Sequence, residues 1–126
     1  IDMRLELPVS SQLLDGSVKT IVFNSLENQE KGPIQHYRLL ANEPLVPQLL
    51  NALYKLDLLS VMVEGGARLL QSFVDAGAWD EARVIANTRL HVEDGLGAPL
   101  LANSNLVQQE YLEHDMIAFY KNNQRC

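Results

Sequence analysis

The sequence predicts an α/β fold: a mixed, mostly parallel sheet flanked by helices and closed by an antiparallel hairpin toward the C-terminal end. Three observations lead there. Short runs rich in β-branched and aromatic residues recur along the chain, two stretches between them carry apolar residues at helical spacing, and the last two strand signals are separated only by a short polar break. A chain of 126 residues with 47% hydrophobic content suffices for one sizeable core and falls short of two ordinary domains. Residues 1–126 are therefore read as one domain, or a large piece of one.

Lys19-Thr20-Ile21-Val22-Phe23, bounded by Asp15-Gly16-Ser17 and Asn24-Ser25, has the make-up of a short buried strand. Residues 24–33 are turn-rich, and His36-Tyr37-Arg38-Leu39-Leu40 is a weaker second strand. Between Pro44 and Tyr54, Val46, Leu49, Leu50 and Leu53 fall at i, i+3, i+4 and i+7 on one helical face. Pro44 and Pro47 suit the first turn of that helix, where a missing N–H costs little. Leu58-Leu59-Ser60-Val61-Met62-Val63 is a nearly continuous apolar run and predicts a central parallel strand covered on both faces. After Gly65-Gly66 the period changes to 3.6, with Leu69, Leu70, Phe73 and Val74 on one face and Gly77 as the stop. Ala82-Arg83-Val84-Ile85-Ala86 predicts another strand, residues 93–99 a Gly/Pro loop, and residues 106–111 and 116–120 the closing hairpin around Leu112-Glu113-His114-Asp115.

Composition narrows the function classes. Sixteen acidic against 10 basic residues give a formal charge of −6, and the basic residues are scattered, so nucleic acid is not an expected partner. A small anionic ligand held by one Arg is compatible with this charge. The only cysteine is Cys126, which allows neither an intrachain disulfide nor a thiolate cluster and fits a reducing, cytoplasmic setting. No apolar run reaches the roughly 20 residues of a membrane span. The opening Ile1-Asp2-Met3-Arg4 is no signal sequence and reads like the inside of a strand, so sequence upstream of Ile1 is expected. His36, His91 and His114 share no metal-ligand spacing, no serine lies in a Gly-x-Ser-x-Gly elbow, and Trp79 is read as packing the helix end.

The densest constellation is Val61-Met62-Val63-Glu64-Gly65-Gly66-Ala67-Arg68-Leu69-Leu70. Two glycines between a buried strand and a helix permit a sharp turn and close approach of a ligand, and the helix start offers free N–H groups to an anion. The pair of glycines alone leaves two readings open, a turn and nothing more or a phosphate cradle. Glu64 stands at the carboxyl end of the expected central strand, where open α/β sheets place their ligands. Arg68 either contacts a phosphate or points to solvent.

The run from Val63 through Phe73, continued by Asp75-Ala76-Gly77 and Trp79-Asp80-Glu81, resembles the C-terminal reductase domain of bacterial riboflavin-biosynthesis deaminase/reductase proteins. Ile1-Asp2, Leu7-Pro8 and Gly95-Leu96-Gly97-Ala98-Pro99 add to the likeness, which covers essentially the whole chain but only the later part of that domain. The resemblance implies a dihydrofolate-reductase-like fold and NADPH-dependent reduction of 5-amino-6-(5-phosphoribosylamino)uracil to its ribityl form, with hydride delivered to C1′ of the opened ribose. It assigns Gly65, Gly66, Ala67, Arg68, Leu69 and Leu70, in a segment reaching Ser72, to the cofactor, Glu64 to the substrate, and Met3 or a neighbour to NADPH. The family's zinc deaminase domain and the first half of its reductase domain have no counterpart here, so this stretch alone is expected to be an incomplete domain and inactive. A homodimer is expected. Two other readings compete: a reductase of the same fold acting on another substrate such as dihydrofolate, and a mainly structural segment whose terminal strands pair across a two-fold axis.

Overall fold

The computed structural model describes residues 1–91 and 93–124, so Cys126 lies outside the described residues. The chain forms two compact units, Ile1–Val61 and Met62–Cys126. The α/β class holds, with both sheets and helices present.

In the first unit, β1 (Thr20–Asn24), β2 (Gln29–Lys31) and β3 (Ile34–Arg38) form a sheet in the order β1-β3-β2. β1 and β3 run parallel, from Thr20↔Ile34 to Asn24↔Arg38, while β2 pairs antiparallel with β3 across the tight Gly32-Pro33 turn. Gly32 has φ 60°, a left-handed backbone that costs glycine little. Asn24 organises the crossing from β1 to β2. It is fully buried, its Oδ1 accepts the N–H groups of Leu26 and Glu27 at 2.8 Å each, and its Nδ2 donates to the carbonyls of Glu27 (3.1 Å) and Val22 (3.3 Å). A buried amide so fully paired fixes the chain's path without leaving a polar group stranded.

Helix α1 (Leu45–Lys55) follows, with Pro44 at its N-cap and Pro47 in its first turn. Gln48 reaches back to bind both the N–H (2.7 Å) and the carbonyl (3.0 Å) of Leu40, which holds the incoming loop to the helix. Val46, Leu49 and Ala52 are buried together with Val22, Phe23 and Leu39 of the sheet region, and these residues make the core of the unit. The helix ends in a Schellman motif, Leu58 N–H to Leu53 carbonyl and Asp57 N–H to Tyr54 carbonyl, with Asp57 at φ 56° where glycine is usual.

The second unit contains α2 (Ala67–Asp75) and an antiparallel sheet of β4 (Glu81–Asn87), β5 (Ser104–Leu112) and β6 (Asp115–Asn122) in the order β4-β6-β5. α2 also ends in a Schellman motif, Ala78 N–H to Phe73 carbonyl and Gly77 N–H to Val74 carbonyl, with Gly77 at φ 59°. Phe73 and Ala118 are its buried apolar residues, and the guanidinium of Arg83 sits 4.9 Å above the Phe119 ring. The β5–β6 hairpin turns on two residues, Glu113 (φ 53°) and His114, and carries a bulge between Leu106 and Gln108.

Two expectations are corrected. The apolar run at residues 58–63 is no central strand: it has no ladder partner among the described residues, and Leu59 and Met62 are 89% and 81% exposed. An apolar run signals willingness to form a strand, but a strand exists only through hydrogen bonds to a neighbour. With that strand missing, the sheet content is not mostly parallel either: of the strand pairs described, β1–β3 is parallel and the others are antiparallel. β2 lies inside the stretch read as turn.

Candidate functional site

The sequence places the candidate site where an extended segment meets α2. Glu64 is exposed. Gly65 follows with φ 152°, a conformation side chains rarely adopt, and a Cβ there would lie 3.4 Å from Leu69 Cδ2. Gly66 is the N-cap in extended backbone (φ −69°, ψ 156°), and a Cβ there would meet nothing within 4 Å. The turn thus demands glycine at Gly65 for its own geometry, while the bareness of Gly66 leaves open space over the helix start.

No side chain caps α2, and its first turn carries no acidic residue. Its carbonyl-side bonds begin with Leu69 and Leu70, whose N–H groups both reach the Gly66 carbonyl at 3.0 and 3.3 Å. The earlier N–H groups and the positive end of the helix therefore face outward beside the exposed cation Arg68. Arg68 has no ion-pair partner among the described residues. Leu69 and Leu70 are half-buried.

Ala67, Arg68 and Gln71 form one wall of a cleft of about 200 Å³ whose other wall is Leu96, Gly97, Ala98 and Pro99. Sequence reasoning noted that loop as a family likeness but gave it no place in a site. The hydrogen bonds that bring it there come from Gln71, whose Oε1 accepts the Leu100 N–H at 2.8 Å and whose Nε2 lies 3.4 Å from the Leu100 carbonyl. Nothing in the pattern around Gln71 distinguishes it from an ordinary exposed-face glutamine.

Met3 belongs to the first unit. It is half-buried, and its carbonyl accepts both the N–H (3.0 Å) and the hydroxyl (2.7 Å) of Ser25, a bond set that fixes the N-terminal segment beside the end of β1. Its neighbour Asp2 accepts the backbone N–H groups of Leu7 (2.8 Å) and Glu6 (3.0 Å), which hold its carboxyl below the ordinary range. His36, in β3, pairs through Nδ1 with Glu27 at 2.8 Å, and no group of His, Cys, Asp and Glu suited to a metal ion occurs among the described residues. Trp79 is half-buried, and its carbonyl accepts the Asn122 side chain. Among the described residues, no helix is long and apolar enough to cross a membrane.

Comparisons with known proteins agree on one family. The chain is 27% identical to the riboflavin biosynthesis protein RibD of Aquifex aeolicus, over 96% of this chain and 37% of that protein. In fold it is similar to RibD of Acinetobacter baumannii (TM-score 0.70, 20% identity, 95% of this chain and 36% of that one). A diaminohydroxyphosphoribosylaminopyrimidine deaminase/5-amino-6-(5-phosphoribosylamino)uracil reductase from Thermotoga maritima is also similar (TM-score 0.62, 22% identity, 82% of this chain and 31% of that one). The chain spans about a third of the length of these relatives. The family model for the RibD C-terminal domain matches residues 1–90, which include the Glu64-Gly65-Gly66 turn and the whole of α2, and the chain belongs to that family.

Proposed function

We propose that this chain is the cofactor-holding part of a cytoplasmic reductase of riboflavin biosynthesis, which reduces 5-amino-6-(5-phosphoribosylamino)uracil to 5-amino-6-(5-phosphoribitylamino)uracil with NADPH. The observation that carries the reading is the uncapped, acid-free start of α2, open above Gly66 and flanked by Arg68. These residues suit a phosphate-bearing cofactor: backbone N–H groups at the helix start take phosphate oxygens, the helix dipole favours the negative charge, and Arg68 adds an exposed cation. NADPH, when bound, supplies the hydride. Glu64, exposed and adjoining the turn, holds the substrate and offsets positive charge on its nitrogen. Membership in the family and the activity named for the Thermotoga maritima relative support this choice of substrate.

The partners follow from the same reading: a small phosphorylated pyrimidine, and a second copy of the chain. The edge strand β5, with Leu106, Val107, Tyr111 and Leu112 each more than half exposed, supports the homodimer. The test is turnover and NADPH binding by the full-length protein. Oxidation of NADPH that depends on the aminouracil substrate supports the reading, and dihydrofolate acting in its place replaces it with the second reductase reading. A dimer that binds no NADPH leaves the structural role.

A further inference from the structure

We propose that Gln71 is a positioning residue which fixes residues 96–99 as the second wall of the cofactor cleft, so that this side chain sets the width of the cleft. The proposal rests on the NADPH reading above. Gln71 lies one turn beyond Ala67 and Arg68, on the face of α2 that lines the cleft. Its amide is committed at both ends. Nε2 donates to Asp75 Oδ1 at 2.8 Å and lies 3.4 Å from the Leu100 carbonyl, while Oε1 accepts the Leu100 N–H at 2.8 Å. The Asp75 carboxylate can only accept, so it obliges the NH₂ group to face it and leaves the oxygen toward Leu100. Asp75 thus selects the orientation that lets Gln71 grip the loop.

Among the described residues, these are the hydrogen bonds that tie residues 93–101 to the rest of the second unit, and no helix or strand braces that stretch. Among the described residues, the loop's hydrogen bonds to the unit thus run through one side chain. Gly97 leaves that wall bare. It does not have left-handed backbone, and a Cβ there would meet nothing within 4 Å. Neither turn geometry nor packing requires glycine at Gly97, and its bare backbone leaves room for a ligand to approach closely.

The test compares full-length wild type, Gln71→Ala and Gln71→Glu in NADP⁺ binding by calorimetry at pH 5 and pH 8, with hydrogen exchange at residues 96–100. Gln71→Ala removes both bonds to Leu100. Affinity is expected to fall on the order of tenfold and exchange at Leu100 to accelerate by a similar factor. The carboxyl introduced by Gln71→Glu faces the Leu100 carbonyl and Asp75. Protonated, it restores one donor and one acceptor; ionised, it repels both neighbours. Relative to wild type at each pH, affinity several-fold weaker at pH 8 with part of the loss recovered at pH 5 is expected, a profile that loss of helix stability alone does not produce. Equal affinities of all three proteins at both pH values overturn the positioning role and leave the cofactor reading standing. No NADP⁺ binding by wild type overturns both.

Discussion

The side-chain amide of Asn122 donates to the Trp79 carbonyl at 2.8 Å, which ties the end of β6 to the segment leaving α2. The same amide reaches the Gly77 carbonyl at 3.3 Å, its oxygen accepts the Gln124 N–H at 2.9 Å, and Asn122 is only 4% exposed. Asn122→Ala withdraws this donor from two carbonyls and the acceptor from Gln124, and is expected to cost about 1–3 kcal/mol. A urea unfolding midpoint equal to wild type at unchanged slope would show that water replaces the amide.

Glu64 is expected to matter for turnover more than for cofactor binding. In the full-length protein, Glu64→Gln keeps the shape and removes the charge, so reduction slows by about a hundredfold or more, the scale of losing one positioned electrostatic group. NADPH affinity is expected to shift little. Steady-state kinetics with a parallel binding titration separate the two, and undiminished turnover removes Glu64 from the substrate site.

Arg68 is exposed and free of ion pairs among the described residues, so replacing it does not disturb the fold. Arg68→Ala is expected to weaken NADPH binding roughly tenfold at low salt and less at high salt, since an exposed charge is screened. An affinity independent of both residue and salt assigns Arg68 to solvent.

Two glycines at opposite ends of α2 answer to different demands. Gly77→Ala places a Cβ at φ 59° and 3.3 Å from Gln124 Oε1, and is expected to destabilise by about 1–2 kcal/mol. Gly66→Ala meets open space and ordinary φ, so the thermal midpoint is expected to move less, by the weaker capping of alanine alone. NADPH affinity is where Gly66→Ala is expected to show its effect; an affinity equal to that of wild type would mean the space above Gly66 is not used.

The pH response of the N-terminal segment follows from Asp2. Its carboxyl is held below the ordinary value by the Leu7 and then the Glu6 backbone N–H, so the stabilisation is complete above the unfolded carboxylate range, near pH ~4. It is lost as pH falls through the lowered folded value. Hydrogen exchange at Glu6 and Leu7, taken relative to the intrinsic rate at each pH, is expected to show protection at neutral pH that is lost on acidification, and Asp2→Asn should flatten that dependence.

Local signals in the sequence were faithful where the physics is local. The helix of Val46, Leu49 and Leu53, the stop at Gly77 and the final hairpin all follow from spacing or turn chemistry within a few residues, and they appear within one to a few residues of where that chemistry puts them. β2, by contrast, is Gln29-Glu30-Lys31, fully exposed and polar; its strand character comes from pairing with Ile34, Gln35 and His36, which composition does not record. The run at residues 58–63 failed for the converse reason, an apolar pattern with no neighbour among the described residues to pair with. In the site, Glu64-Gly65-Gly66 was legible because glycine leaves a signature, whereas the grip of Gln71 on Leu100 spans 29 residues and leaves none.

The unpaired run has a consequence for how the chain opens. None of the backbone N–H or carbonyl groups of residues 59–63 is hydrogen-bonded among the described residues, while α1 before it and α2 after it are closed by Schellman turns at their ends. Protection against exchange and against proteases is a local free energy that depends on such bonds, not a property shared evenly along the chain. Residues 59–63, with Leu59 and Met62 89% and 81% exposed, are therefore open to a protease that accepts leucine or methionine, as is the similarly unbraced loop around Leu96.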